Sequence, residues 1–229
     1  MKYLYILLLL IASSEVFPQS NLAIINDPDG YTNVRSGPGG NTKVLGKIFE
    51  GEIFWIETEK YRKGSWWTIM CNCKEGFIEG YMHKSRILAL DDYPKFHMSD
   101  SRENTLKLEA DELEIIFTVK SFDTQAHEIL KREDGSVEKI DGATPYGVDG
   151  SIPTKELIDV LIETEEGAWH LSQDDIKSIF EPNLSRTWVY RLSEDRMFMV
   201  MENSDGAGFY TVIWEISKHD LENRTILEL

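Results

Sequence analysis

Apolar and polar residues alternate in short runs along most of this chain, and a two-residue period predicts strands rather than helices. In the first third the runs fall near residues 22–26, 32–35, 44–48, 53–59, 66–71 and 76–83, with 85–88 closing the set. Gly and Pro punctuate them, as in Asp27-Pro28-Asp29-Gly30 and Ser36-Gly37-Pro38-Gly39. Strands this short and this closely spaced predict a small closed barrel over residues 21–90. Val34, Leu45, Ile48, Ile53, Trp55, Ile69, Phe77 and Met82 are its expected core.

Residues 91–104 are polar, contain Pro94, and read as a linker. After them the alternation resumes through Leu106, Leu108, Leu113, Ile115, Phe117 and Val119. Residues 127–136 read as a strand and hairpin turn, and 141–150 as a turn-rich loop. Residues 157–164 and 168–171 predict paired strands. Ser172-Gln173-Asp174-Asp175 predicts a capped helix with Ile176, Ile179 and Phe180 on one face, ended before Pro182. Three strands near 187–192, 197–202 and 208–217 follow, with a last edge strand at 225–229. The expected fold is mainly β: the small barrel, then a sheet-dominated β (α+β) domain over 105–229 with one short helix.

The N-terminus has a different pattern. Lys2 precedes ten apolar residues, Tyr3 to Ala12, and polar and small residues follow. That is the layout of a secretory signal peptide, with cleavage expected after residue 20. The apolar run is shorter than the roughly 20 residues a membrane-spanning helix needs, and no Cys follows it for lipid attachment. The expected location is therefore periplasmic or extracellular, with no integral membrane segment in the mature chain. In that compartment the only two cysteines, Cys71 and Cys73, acquire meaning. Two residues apart, they can bond only if the backbone turns there, and Asn72 with Lys74-Glu75-Gly76 permits such a turn. A local structural pair and a redox pair are both open from sequence.

Several of these residues also form a motif set. Asn33-Val34-Arg35-Ser36-Gly37-Pro38, then Val44-Leu45-Gly46, Trp66-Trp67-Thr68-Ile69, Gly80-Tyr81-Met82 and Ser85-Arg86-Ile87 occur in that order. Residues 22–88 thereby resemble bacterial SH3-type (SH3b) domains, with Tyr81 where the family usually carries Trp. The resemblance implies an SH3-like barrel that binds cell-wall peptides or other extracytoplasmic ligands without catalysis. A weaker resemblance joins residues 146–153, 171–184 and 203–214 to a module of secreted bacterial proteins of unassigned function.

On the residues themselves, Tyr31, Tyr61, Trp66, Trp67 and Tyr81 lie at or beside loops. Such rings offer flat apolar faces suited to peptides or sugars. Arg35, Lys63 and Arg86 stand ready to meet a carboxylate. The expected ligand-binding set is Tyr31, Arg35, Tyr61, Trp66, Trp67 and Tyr81; the alternative is that Trp66 and Tyr81 only cap the core.

Charge separates the two halves. Net charge is −16, yet residues 21–90 carry nine basic and eight acidic side chains, whereas 91–229 carry 14 basic and 31 acidic. An acidic second half argues against nucleic acid, which needs a basic face, and suits solubility or a cationic partner. Catalytic signals are lacking. No two of His83, His97, His127, His170 and His219 stand at zinc-protease spacing. Both cysteines sit in the first domain, and no nucleophile-elbow motif occurs. Asp149-Gly150-Ser151 and Asn203-Ser204-Asp205-Gly206 lack the ligand spacing of an EF-hand and read as turns whose loops offer a binding surface. No cofactor or metal is expected. The chain reads as an exported, non-enzymatic binding protein whose partner is a peptidoglycan peptide or an extracytoplasmic protein. An immunity-type inhibitor of a cationic exported protein is the alternative, and an enzyme with an unrecognised site is a third.

Overall fold

The structure is a computed structural model that describes residues 21–57, 64–204, 206–218 and 220–228. Residues 1–20, where a signal peptide is expected, and Tyr61 and Lys63 lie outside the described residues. The chain is mainly β, as its alternation predicts, and its strands form antiparallel sheets.

The first sheet holds β1 (Leu22–Ile25), β2 (Tyr31–Arg35), β3 (Val44–Phe49), β4 (Phe54–Ile56), β5 (Trp66–Cys73), β6 (Gly76–His83) and β7 (Ile87–Ala89), in the order β3-β2-β6-β5-β4-β1-β7. All seven strands send side chains into one cluster, including Ile48 from one edge strand and Ile87 from the other. The sheet therefore curls around its own core. Val34, Ile48, Ile69 and Met82 occupy that core as expected. Four expected core residues do not: Ile53 and Trp55 pack outward, against the third sheet, and Leu45 and Phe77 face solvent. Phe77 is 66% and Leu45 46% exposed, because Ile78 and Met82 take the inward phase of β6 and Ile48 that of β3. A buried carboxylate pins two turns of the sheet: Glu52 accepts from the Phe49 N–H and the Lys74 N–H, each at 2.7 Å. Cys71 and Cys73 form a disulfide with Cα atoms 5.2 Å apart, closer than the roughly 6.6 Å of a regular strand. The contraction falls where β5 turns into β6 through Lys74 and Glu75.

Residues read as linker are structured. His97–Arg102 is strand β8. It lies at the edge of a second sheet with β9 (Thr105–Ala110), β10 (Leu113–Ser121), β13 (Lys155–Thr164) and β14 (Gly167–His170), ordered β14-β13-β10-β9-β8. A separate ribbon, β11 (Ile129–Lys131) and β12 (Val137–Ile140), carries the predicted hairpin. The predicted helix shrinks to α1, Gln173–Ile176. The Ser172 N–H and hydroxyl both donate to the Asp175 carboxylate, which closes its first turn. Lys177 is then extended, and Ile179 and Phe180 leave the helix to form bridges with Tyr146 and Glu156. Backbone bonds to the margin of β13 win over a second helical turn.

The third sheet is β15 (Thr187–Arg191), β16 (Arg196–Asn203), β17 (Tyr210–Ser217) and β18 (Asp220–Glu228), paired in sequence order. It is the middle layer. Met197, Met199, Met201, Val212 and Trp214 face the second sheet, while Phe198, Val200, Ile213, Trp188 and Tyr190 face the first. Against them the first sheet sets Leu22, Ile24, Ile53 and Leu90, with Trp55 and Leu88 half-buried alongside. That explains why β1 is apolar at all four positions: Ala23 and Ile25 point into the curled core, Leu22 and Ile24 into the layer above. Polar links fasten the same contact. The Tyr190 hydroxyl lies 2.9 Å from Asp91, which also pairs with Lys95, and the Asn223 amide donates to the Gly51 carbonyl.

Phe198 is fully buried in the core that the first and third sheets share. Phe198→Ala is expected to cost about 3–5 kcal/mol, measured by urea unfolding. Tryptophan fluorescence and near-UV circular dichroism should follow one common transition; two separate transitions would show that the sheets fold independently.

Candidate functional site

The middle layer covers the outer sides of β1, β4 and β7. The outer side of β2, β5 and β6 carries a cleft instead. Tyr31, Asn33 and Arg35 alternate with the inward Thr32 and Val34, so their side chains share that face. Trp66 pairs in register with His83, and their rings meet edge to face at 5.3 Å. Asp27, Asp29, Tyr31, Arg35, Trp66 and Arg86 line a cleft of about 260 Å³ together with His83. Lys47, from β3, sits 3.7 Å above the Tyr31 ring, and Phe49 stands beside that ring at 6.2 Å.

Local bonds set these side chains. Arg35 donates to the Thr42 carbonyl at 2.8 Å, holding down the Gly-rich loop whose Gly37 and Gly39 carbonyls also lie within 3.0 Å of the Thr42 hydroxyl. Asp27 accepts from the Thr32 hydroxyl at 3.0 Å and pairs with Arg86 at 3.1 Å. Its side chain is nearly buried while that of Arg86 is 45% exposed, so the pair fixes one end of the guanidinium and leaves the rest facing solvent. His83 Nδ1 lies 2.8 Å from the Ser85 hydroxyl. The result is a pre-set surface with two aromatic faces, two guanidinium groups and two carboxylates.

Of the sequence-derived set, Tyr31, Arg35 and Trp66 come together in the cleft. Tyr81 is the cross-strand neighbour of Arg35 and Thr68 and shares the outer face, beside the cleft rather than in it. Trp67 is in the opposite phase: it pairs with fully buried Met82 and packs against the curled core. His83, Asp27 and Lys47 were not singled out for this surface, since only the pairing register places them beside the aromatic residues.

A second surface forms where the three segments of the weaker resemblance meet. The Ser204 hydroxyl donates to the Gly147 carbonyl at 3.0 Å, the Asn183 N–H to the Asn203 side chain at 2.9 Å, and the Tyr210 hydroxyl to the Phe180 carbonyl at 2.7 Å. Gly147 has φ +83°, and a Cβ there would sit 2.8 Å from both the Phe180 carbonyl oxygen and the Tyr210 ring. The neighbouring groove, about 840 Å³, is lined by Arg102, Lys155, Glu181, Asn183, Arg186 and Ser204 among others. Its charges chiefly lock loops. Glu181 accepts from the N–H and hydroxyl of Thr154, and Arg186 pairs with Glu202. Burial pushes the Glu202 carboxyl above its usual range against the pull of that guanidinium.

The open face of the second sheet is acidic in one row. Glu109, Glu114 and Glu163 lie directly opposite one another on three adjacent strands. Lys107 pairs with Glu114 and His97 with Glu109, both at 2.7 Å. Like charges in register oppose sheet formation by a few tenths to about 1 kcal/mol per pair, which gives the row a standing demand for cations.

Among the described residues, no group of three or more His, Cys, Asp or Glu side chains is placed to hold a metal ion, and no helix is long and apolar enough to cross a membrane. Searches of protein-family models, curated proteins and solved structures find no match to this chain.

Proposed function

We propose that this chain is an exported, non-enzymatic binding protein that receives a peptide or protein segment on the outer face of its first sheet. The carrying observation is the convergence of Tyr31, Arg35, Trp66, His83 and Arg86 on one cleft, on the side of the sheet that the middle layer leaves open. Tyrosine and tryptophan supply apolar area at low entropic cost, and a positioned guanidinium supplies directional bonds to carboxylate or carbonyl oxygens. The resemblance of residues 22–88 to SH3-type domains favours a cell-wall peptide as the ligand, and the signal-like N-terminus favours an extracytoplasmic setting. Residues 105–229 then serve as the platform that carries the sheet.

Residues 21–229 are expected to be retained on purified cell-wall sacculi in a saturable way. Trp66→Ala and Tyr31→Ala should each weaken retention by about 30-fold, the effect of removing an anchor worth about 2 kcal/mol. Trp67→Ala should alter stability far more than affinity per folded molecule. Absence of saturable retention, or retention indifferent to both cleft substitutions, overturns wall binding through this face.

The glutamate row supports a second reading, in which the acidic sheet docks a cationic exported protein. In that case Glu109→Gln with Glu114→Gln and Glu163→Gln should abolish salt-sensitive capture of basic proteins by the immobilised chain, while Trp66→Ala leaves it unchanged. Capture that survives the triple substitution removes this reading.

A further inference from the structure

The β11–β12 ribbon stands apart from the three sheets. Among the described residues its strands pair with no strand of the other sheets. An isolated two-stranded ribbon is marginal in water and depends on what it docks against. Here the docking includes a small apolar cluster, Val137, Ile140, Val148 and Phe180 with Phe122 and Ile129 beside them, a backbone bond from the Val137 N–H to the Gly150 carbonyl at 2.8 Å, and a side-chain fastening at His127.

That fastening has an unusual demand. His127 Nδ1 lies 2.7 Å from the Asp141 carboxylate, at the end of the ribbon, and Nε2 lies 3.2 Å from the Glu156 carboxylate, on β13. A neutral imidazole carries one N–H and one lone pair. It can donate to only one of these carboxylates and must turn its lone pair toward the other. Both contacts are attractive only when both nitrogens carry protons. The ring is held in place for this: its side chain is 15% exposed, and it stacks on Phe122 at 4.5 Å and 14°. Asp141 is fixed from its other oxygen by the Glu128 N–H at 2.9 Å.

We propose that His127 is a pH-sensitive clasp that holds the β11–β12 ribbon onto β13 when its ring is charged and loosens it when the ring is neutral. The charged groups around the ring agree with that assignment. Asp141 faces it from the ribbon and Glu156 from β13; Lys120, on β10, reaches Glu156 at 3.2 Å and offsets one of the two negative charges. Across the neighbouring groove α1 contributes Asp174, and Lys177 just beyond it; these two pair with each other at 2.9 Å. A charged imidazole thus completes a neutral set of two carboxylates and two cations, and a neutral one leaves it one negative charge in excess.

Burial, the largest single influence, pulls the His127 pKa down, but the hydrogen bonds to Asp141 and Glu156 and the negative charges of those carboxylates together outweigh it and leave the ring above its ordinary 6.5. The stabilisation is then fully present below pH 6.5 and is lost as pH rises through the folded value. On the acid side, the His127 bond holds Asp141 below its ordinary 3.8, so that contribution is present above 3.8 and is lost as pH falls through the lowered value. The clasp is tightest between those limits. His127 and Asp141 also form one wall of a groove of about 530 Å³ whose other walls include Glu156 and Ile176, so release of the ribbon widens that groove.

Hydrogen exchange of residues 21–229, corrected for intrinsic rates, tests the clasp. Amides of residues 129–131 and 137–140 should lose protection between pH 5.5 and pH 8.5, by roughly tenfold for each unit by which the folded pKa exceeds the unfolded one. Amides of β16 and β17 report the rest of the fold and should keep theirs. His127→Phe retains a ring to stack on Phe122 but cannot titrate, so ribbon protection in that variant should be independent of pH. Unchanged protection in the wild type, or a pH dependence that persists in His127→Phe, overturns the proposal. Should His127→Phe fail to fold, the wild-type ring itself decides the matter by NMR titration: a His127 pKa at or below 6.5 is the overturning result.

Discussion

A sheet buried on both faces must supply apolar side chains at nearly every position, and β15–β17 meet that demand almost without interruption. The rest of the fold depends on this layer. Its odd-numbered methionines and Trp214 complete the core of the second sheet, and its Phe198, Val200 and Ile213 cover what would otherwise be an apolar strip on β1, β4 and β7. Where polar groups enter the layer they arrive with partners: Glu215 pairs with Arg196, Glu202 with Arg186, and Tyr210 donates to a carbonyl. Unpaired, each would cost about 1–3 kcal/mol or more.

The same layer decides which part of the first sheet is free to bind. Covering β1, β4 and β7 fixes one side of the curled sheet against the body of the protein. The opposite side, with Tyr31, Arg35 and Trp66, stays open to solvent. Its side chains are held by register, by the Arg35 bond to the Thr42 carbonyl and by the Asp27–Arg86 pair, so little ordering remains to be done when a ligand arrives. The acidic row and the His127 clasp lie on the second sheet and its ribbon, on elements separate from the cleft. The molecule therefore combines a rigid scaffold with surfaces of differing charge and firmness.

Much of this was legible in the residues. The alternation of Tyr31, Asn33 and Arg35 against Thr32 and Val34 placed three side chains on one face before any pairing was known, because strand period is a local property. The same rule separates Trp66 from Trp67, yet sequence alone does not say which phase is outward, so both entered the candidate set. Phe77 and Leu45 were assigned inward on hydrophobicity, whereas the pairing register turns them out. The helix after Ser172 was foreseen with its cap, but its length depended on backbone partners at β13 that no local pattern reveals.

By itself the sequence determined the β character of the chain, most strand positions, the turns and the uneven distribution of charge, since each rests on local period, backbone preference or simple counting. Tertiary structure alone decided that residues 97–102 belong to a sheet rather than a linker, that the third sheet is an inner layer, that Cys71 and Cys73 are bonded, and that His127 faces two carboxylates 14 and 29 residues away. Those outcomes depend on which strands meet and in what register. Contacts between distant segments set that register, and local pattern constrains it only through the face each residue must bury.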